Sequence, residues 1–423
     1  MSRRLSALLK LEHCKKYFLR CFFCIAILSA FSNTASAYYE ARPVIRMSEV
    51  LTSQQAQSVY HRVEDIELSG KFYSFRVDSD MGKYNITSLA LFRNRIQEIS
   101  TLAQAISEFS RKDENLSEEI RGQFSIRANS AIDILSRPVE SAADLAGQFA
   151  DNLNETLTGL PENATDTFGY QVRESKDPVA AMHKRNIASQ WGLDVYSTNL
   201  RVQEFLNAVT KARSSGRISA GTPTLRTQIN RPPKAADFEI ETYTEYLLKS
   251  KSVQELYQIN KNLLIDMKIN TEIVNNFLQH TSFSPRHLTR ISHYLDSMNG
   301  VRNKSAFIEA ASQIQNEVMA LAFDESAMML KYYHDKVAKL EKLFTGSEVL
   351  EAISKDGRMV YFVPIDLIYW SEQTEQLFDS LQLRAKESGF GAWELVTAGS
   401  VTAEAGKELQ QRKFTVRDKF VNK

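Results

Sequence analysis

The chain has 423 residues but three cysteines, and all of them, Cys14, Cys21 and Cys24, fall within the first 37 positions. Everything downstream lacks a thiol, which excludes disulfide stabilisation, a cysteine nucleophile and thiolate metal sites there. Long apolar runs are missing as well. The one from Cys21 to Phe31 is too short to cross a hydrocarbon core, which takes about 20 residues. An excess of one charge sign is also absent, with 52 Lys and Arg against 51 Asp and Glu. G-x-S-x-G, S-x-x-K and H-E-x-x-H do not occur, and neither a P-loop lysine nor a dinucleotide G-x-G-x-x-G is found, so the motifs imply no cofactor and no metal.

What is present begins with an address. Six cations, Arg3, Arg4, Lys10, Lys15, Lys16 and Arg20, precede the short apolar run, and Ala35-Ser36-Ala37 supplies a small-x-small cleavage site. Residues 1–37 therefore read as a secretory signal, cleaved after Ala37, directing the protein to the periplasm or beyond without a transmembrane anchor. Its removal leaves 46 basic and 50 acidic side chains, a net charge of −4. A mildly acidic chain has no global field for nucleic acid, and without thiols it depends on apolar burial for stability.

Patterning predicts a mostly helical α+β protein. Residues 38–112 form an antiparallel β-meander plus helix: Val63, Ile66 and Leu68, then Phe72 to Val77, then Tyr84 and Ile86 alternate around Ser69-Gly70 and Asp80-Met81-Gly82. Phe92, Ile96, Ile99, Ala103 and Ile106 then share one helical face that should cover the meander. Residues 113–210 read as helical, with segments over 118–158 parted by Arg137-Pro138. The second carries Glu140, Asp144, Asp151 and Glu155 opposite its apolar stripe, which argues against an anionic membrane surface. Helices over 179–191 and from Tyr196-Ser197-Thr198-Asn199 follow. Residues 211–237 form a basic Pro/Gly/Ser-rich loop or linker, and 238–345 a helical bundle with a capping box at Ser252 to Glu255 and an N-cap at Ser284-Pro285. Its last helix runs through Met328, Tyr332 and Leu340. Residues 346–423 form a small α/β domain: a hairpin turning at Asp356-Gly357, a helix, and a strand-helix-strand crossover.

Candidate chemistry is sparse. His280, His287 and His293 are seven and six residues apart with Pro285 between them, unlike zinc ligands on one helix. His287 falls beside Tyr294 and Met298, a neutral buried histidine, while His293 points away from that face. Asp65/Glu67 and Asp324/Glu325 read as surface charges. Tyr38-Tyr39, Tyr332-Tyr333 and Tyr369-Trp370 offer stacking faces for sugar, but aromatic residues at such spacing more commonly build core. Ser400 and Thr402, after Gly399, sit where a helix N-terminus can cap itself or hold an anion. Arg213, Arg217, Arg226 and Arg231 make the 211–237 loop the best local electrostatic feature, able to touch anionic lipid, polysaccharide or an acidic partner.

Three segments carry a resemblance: Asp194-Val195-Tyr196-Ser197-Thr198-Asn199 with Gln203; Phe283-Ser284-Pro285-Arg286-His287; and Pro364-Ile365-Asp366 leading to Tyr369-Trp370. Together they resemble a family of uncharacterised secreted bacterial proteins, over roughly residues 55–420. The resemblance implies a bacterial envelope setting and brings no activity with it. Where such relatives have a small-residue apolar stretch after the Asn199 helix, this chain has its arginine-rich loop. The leading expectation is a periplasmic or secreted interaction or structural component without catalysis, its partner an envelope protein. The competing expectations are a hydrolase of envelope lipid or glycan, for which His287, His334 and Asp335 are the first residues to consider, and a lipid- or anion-binding module.

Overall fold

The computed structural model describes residues 39–112, 174–175, 177–214, 240–345 and 349–420. The signal segment, the helices expected over 118–158 and most of the basic loop lie outside them. Two single-turn helices, α1 (Met47–Val50) and α2 (Ser53–Ala56), lead into an antiparallel sheet of β1 (His61–Ser69), β2 (Phe72–Ser79) and β3 (Gly82–Thr87), in that order. In β1 the inward residues Val63, Ile66 and Leu68 change parity. A register irregularity between Val63 and Asp65 absorbs the extra residue and keeps all three on one face.

Helix α3 (Leu89–Lys112) covers that face, stacking Phe92 on Phe75 with ring centroids 4.2 Å apart. Its first half belongs to the meander's core through Phe92 and Ile99. Its second half passes Leu102 and Ala105 to a separate core made with α4 (Pro178–Trp191), α5 (Leu200–Ser214), α6 (Ile240–Ser250) and the start of α7 (Val253–Asp266). Helix α5 continues to Ser214, so Lys211 and Arg213 are in its last turn rather than at the start of a loop.

Helices α8 (Thr271–Leu278), α9 (Pro285–Ser297), α10 (Ser305–Ala311) and α11 (Glu317–Lys336) complete the helical layer. The expected caps are present: Ser252 and Ser284 each bond the backbone of the third helical residue, whose side chain returns to the cap. Helix α11 stops before Leu340. Its last turn ends at Val337, and the buried His334 Nδ1 accepts the Leu340 N–H at 3.2 Å, so Leu340 opens a strand instead of prolonging the helix.

That strand, β4 (Leu340–Thr345), is the edge of a five-stranded sheet ordered β10-β8-β6-β5-β4. Strands β4, β5 (Leu350–Ser354) and β6 (Met359–Val363) are antiparallel; β6, β8 (Trp393–Thr397) and β10 (Phe414–Arg417) run parallel, joined by α12 (Glu372–Glu387) and α13 (Ala403–Gln411). Every residue of β6 and β8 is buried, as strands covered on both faces require. A short parallel pair, β7 (Leu367–Ile368) and β9 (Ser400–Val401), lies at the exit of the sheet. One continuous core includes α8 to α11 together with this sheet, so bundle and α/β segment are not separately cored.

Candidate functional site

A polar cleft of about 240 Å³ opens between α3, the 192–199 segment, α6, α9 and the start of α11. The 192–199 segment is fixed by its own side chains. Gly192 ends α4 in the left-handed conformation that glycine adopts without strain. Asp194 Oδ1 accepts the Tyr196 N–H at 2.9 Å, a local turn closed by the side chain. Gln203 Nε2 donates to the carbonyls of Val195, at 3.1 Å, and Ser197, at 2.7 Å. Asn199 Oδ1 caps α5 through the Arg201 N–H. Asp194, Tyr196, Ser197 and Thr198 thus line the cleft from this segment, and Ser284, Arg286 and His287 line it from α9 and its N-cap.

Three arginines organise the cleft, and carboxylates answer each. Arg95 donates to Glu98 at 2.9 Å, to Glu317 at 3.2 Å and to Thr198, which itself donates to Glu317. Glu98 also accepts from Ser197 and from Asn199. Arg286 donates through Nε to Asp194 at 2.7 Å and through both terminal nitrogens to Glu245. Burial by itself pulls the Arg286 guanidinium down, but Asp194 and Glu245 outweigh it and leave the pKa raised; Asp194, which burial pushes up, is held below its usual value by Arg286 and the Tyr196 N–H. Both stay charged at any physiological pH.

Arg290 is served differently. One terminal nitrogen donates to Glu241 at 3.2 Å, while Nε lies 3.2 Å from Asp324 Oδ1 without hydrogen-bond alignment. Asp324 is buried, contrary to its expected place on the surface, because its helix position faces Arg290 across α9 and α11. Burial pushes its carboxyl up to about 6 against the pull of Arg290. His293 is buried as well, edge-on to Tyr243 at 5.0 Å, and does not point away from the packed face; burial alone takes its imidazole down to about 4.

The other sequence candidates are dispersed. His287 lines the cleft, with Nδ1 accepting the Ser284 N–H at 3.3 Å. From Leu321, at the cleft, to His334 helix α11 rises roughly 20 Å, and Asp335 pairs there with Lys331 and Lys339. The structure therefore brings no His287, His334 and Asp335 constellation together. The Ser400 N–H bonds the Asp366 carbonyl at 2.9 Å and Thr402 caps α13 through the Ala405 N–H. Arg213 is on α5, and Arg217, Arg226 and Arg231 are outside the described residues. Among the described residues no group of three His, Cys, Asp or Glu side chains could hold a metal ion, and no helix is long and apolar enough to cross a membrane.

From the sequence, Arg286, Asp194 and Asp324 are noticed without a role in a site, and Arg95, Arg290, Glu98, Glu241, Glu245 and Glu317 are passed over. One signal was available: Arg286 and Arg290 are four apart on α9, and Glu241 and Glu245 four apart on α6, a matched charge register between neighbouring helices. Fold and cleft define a mostly helical α+β protein with a strongly polar, ion-paired recess. No family model, no curated protein and no solved structure matches the chain.

Proposed function

We infer that the protein is a non-catalytic recognition component of the bacterial cell envelope, and that the cleft holds a polar partner. The observation that carries this reading is the state of the cleft's reactive groups. Glu98, Asp194, Glu245 and Glu317 are each held by an arginine, and the His287 Nδ1 is engaged by the cap of its own helix. General acid–base catalysis needs a group whose proton is free to move near the operating pH; ion-paired carboxylates instead give a rigid, preorganised polar surface suited to binding. The leader-like residues 1–37 support the envelope address.

A photo-reactive amino acid placed at Gln97, on the cleft rim, tests the reading in intact cells. A discrete adduct is expected by mass spectrometry, and none at Arg62 on the exposed face of the meander. No adduct at Gln97, or the same adducts at both positions, overturns the recognition role. Cell fractionation should find a chain beginning at Tyr38 outside the cytoplasm, and a cytoplasmic chain retaining residues 1–37 overturns the address.

A further inference from the structure

We propose that the cleft binds a small zwitterion, a free amino acid or short peptide, with its carboxylate on Arg290 and its ammonium over Glu245. This rests on the cleft being a binding site.

Size bounds the ligand first. A recess of about 240 Å³ is below the roughly 300–1,000 Å³ of drug-sized pockets and equals the liquid volume of about eight waters. Charge then sorts the ligands that fit. The lining holds Arg95, Arg286 and Arg290 against Glu98, Asp194, Glu245 and Glu317, so a simple anion meets more acid than base, and every carboxylate is paired with arginine, Glu245 alone being largely exposed. A molecule carrying both signs suits a lining that carries both.

Hydrogen-bond capacity locates the two ends. A guanidinium has five N–H donors. All three nitrogens of Arg286 are engaged, whereas only one terminal nitrogen of Arg290 donates a hydrogen bond, and its Nε is misaligned on Asp324. Among the described residues its other terminal nitrogen makes no hydrogen bond or ion pair, in a side chain 21 % exposed at the cleft wall whose guanidinium carbon lies 5.8 Å from the centre of the Tyr294 ring. This is the arginine with donors left for a ligand carboxylate, which arginine grips in a planar fork. Glu245 is its counterpart: Arg286 is its partner among the described residues, and its side chain is 56 % exposed. Arg286 and Arg290 are one helical turn apart, roughly 5–6 Å, and a dipeptide at roughly 3.3–3.6 Å per residue spans that interval between its termini.

Calorimetric titration of the purified protein with glycyl-alanine, its C-amidated and N-acetylated forms, and maltose tests the proposal. Glycyl-alanine should bind, and amidation or acetylation should each weaken it tenfold or more. Arg290→Gln should erase the penalty of amidation, Glu245→Gln that of acetylation, and Arg76→Gln on the meander should change neither. Should Arg290→Gln fail to fold by circular dichroism, Arg290→Lys and the exposed Glu245→Gln carry the test. Equal binding of the three peptide forms overturns the zwitterion while leaving the cleft a binding site, as does binding of maltose alone that Gln97→Trp blocks. Absence of binding by glycyl-alanine at millimolar concentration also overturns it, and only if the Gln97 cross-link fails too does the recognition role fall with it.

Discussion

Asp366 ties two parts of the chain together with one oxygen atom: its Oδ2 accepts the N–H of Tyr73 in β2 and of Leu89 at the start of α3, each at 2.9 Å. The neighbouring backbone reinforces the junction, since the N–H groups of Asp366 and Leu367 both donate to the Lys71 carbonyl at 3.1 Å. Gly399 packs so closely that a Cβ there would run into the Asp366 carbonyl, so no other residue fits without moving backbone. The sequence marks Pro364-Ile365-Asp366 as a segment of interest, but its use is not readable from it, because both amides that Asp366 caps lie far away along the chain, in the meander and at the start of its covering helix. Hydrogen bonds to a charged group contribute about 1.5–3 kcal/mol each. Asp366→Ala is therefore expected to destabilise by on the order of 3 kcal/mol in urea unfolding at pH 8. Asp366→Asn, which keeps an acceptor for both amides and removes the buried charge, should lose little or nothing; a loss equal to that of Asp366→Ala would show that the two amides do not need this oxygen.

At the scale of elements, α9 positions the cleft, and its start is encoded locally. Ser284 Oγ accepts the His287 N–H, and a His287 ring nitrogen accepts the Ser284 N–H, each at 3.3 Å. Pro285 occupies the first turn, where its missing N–H costs nothing. Short-range logic of this kind is what made Ser252, Ser284 and the Asp356-Gly357 turn legible in advance. It fails where a distant residue decides. Leu340 continues a helical spacing, but β5 recruits it into a sheet, and Asp324 looks like a surface acid until Arg290 on another helix is placed against it. The unread half of the cleft is of the second sort, since each arginine pairs with at least one carboxylate outside its own helix. Ser284→Ala should cost about 1 kcal/mol in thermal or urea unfolding. Because Arg286 and Arg290 ride on the first turns of the same helix, it should also weaken whatever the cleft binds, a loss that a capping change confined to α13, Thr402→Ala, should not produce.

Across the whole molecule, burial has displaced two sets of titrating groups in directions that oppose each other in acid. Burial raises Asp324 to about 6, and Glu325 and Asp366 to about 7, with Asp366 adding to the rise at Glu325. Burial lowers His293 to about 4 and lowers His280 and His334 as well. A raised acid binds its proton more tightly folded than unfolded, so its contribution is full below the unfolded value near 4 and is lost as pH rises through 6 to 7. A lowered histidine does the reverse: its contribution is full above about 6.5 and is lost as pH falls toward the folded value. Between pH 8 and about 7 the unfolded histidines are still mostly neutral and the raised acids take up protons ahead of them, so stability rises on acidification. With Glu325 and Asp366 each near half-protonation at pH 7, the two acids alone contribute a slope of about 1.4 kcal/mol per pH unit there, of which the unfolded histidines, each about a quarter protonated, offset roughly half or more. Below pH 6.5 the unfolded histidines take up protons about as fast as the folded acids, and the profile flattens. Urea midpoints measured from pH 8 to pH 5 should therefore climb and then level. The paired change Glu325→Gln and Asp366→Asn should remove the climb while leaving the behaviour below pH 6 to Asp324 and the histidines. A flat profile from pH 8 to 6.5 in the unaltered protein, or the same climb in the paired variant, would place the titrating groups somewhere other than the junction of α3, α11 and the β6–β7 turn.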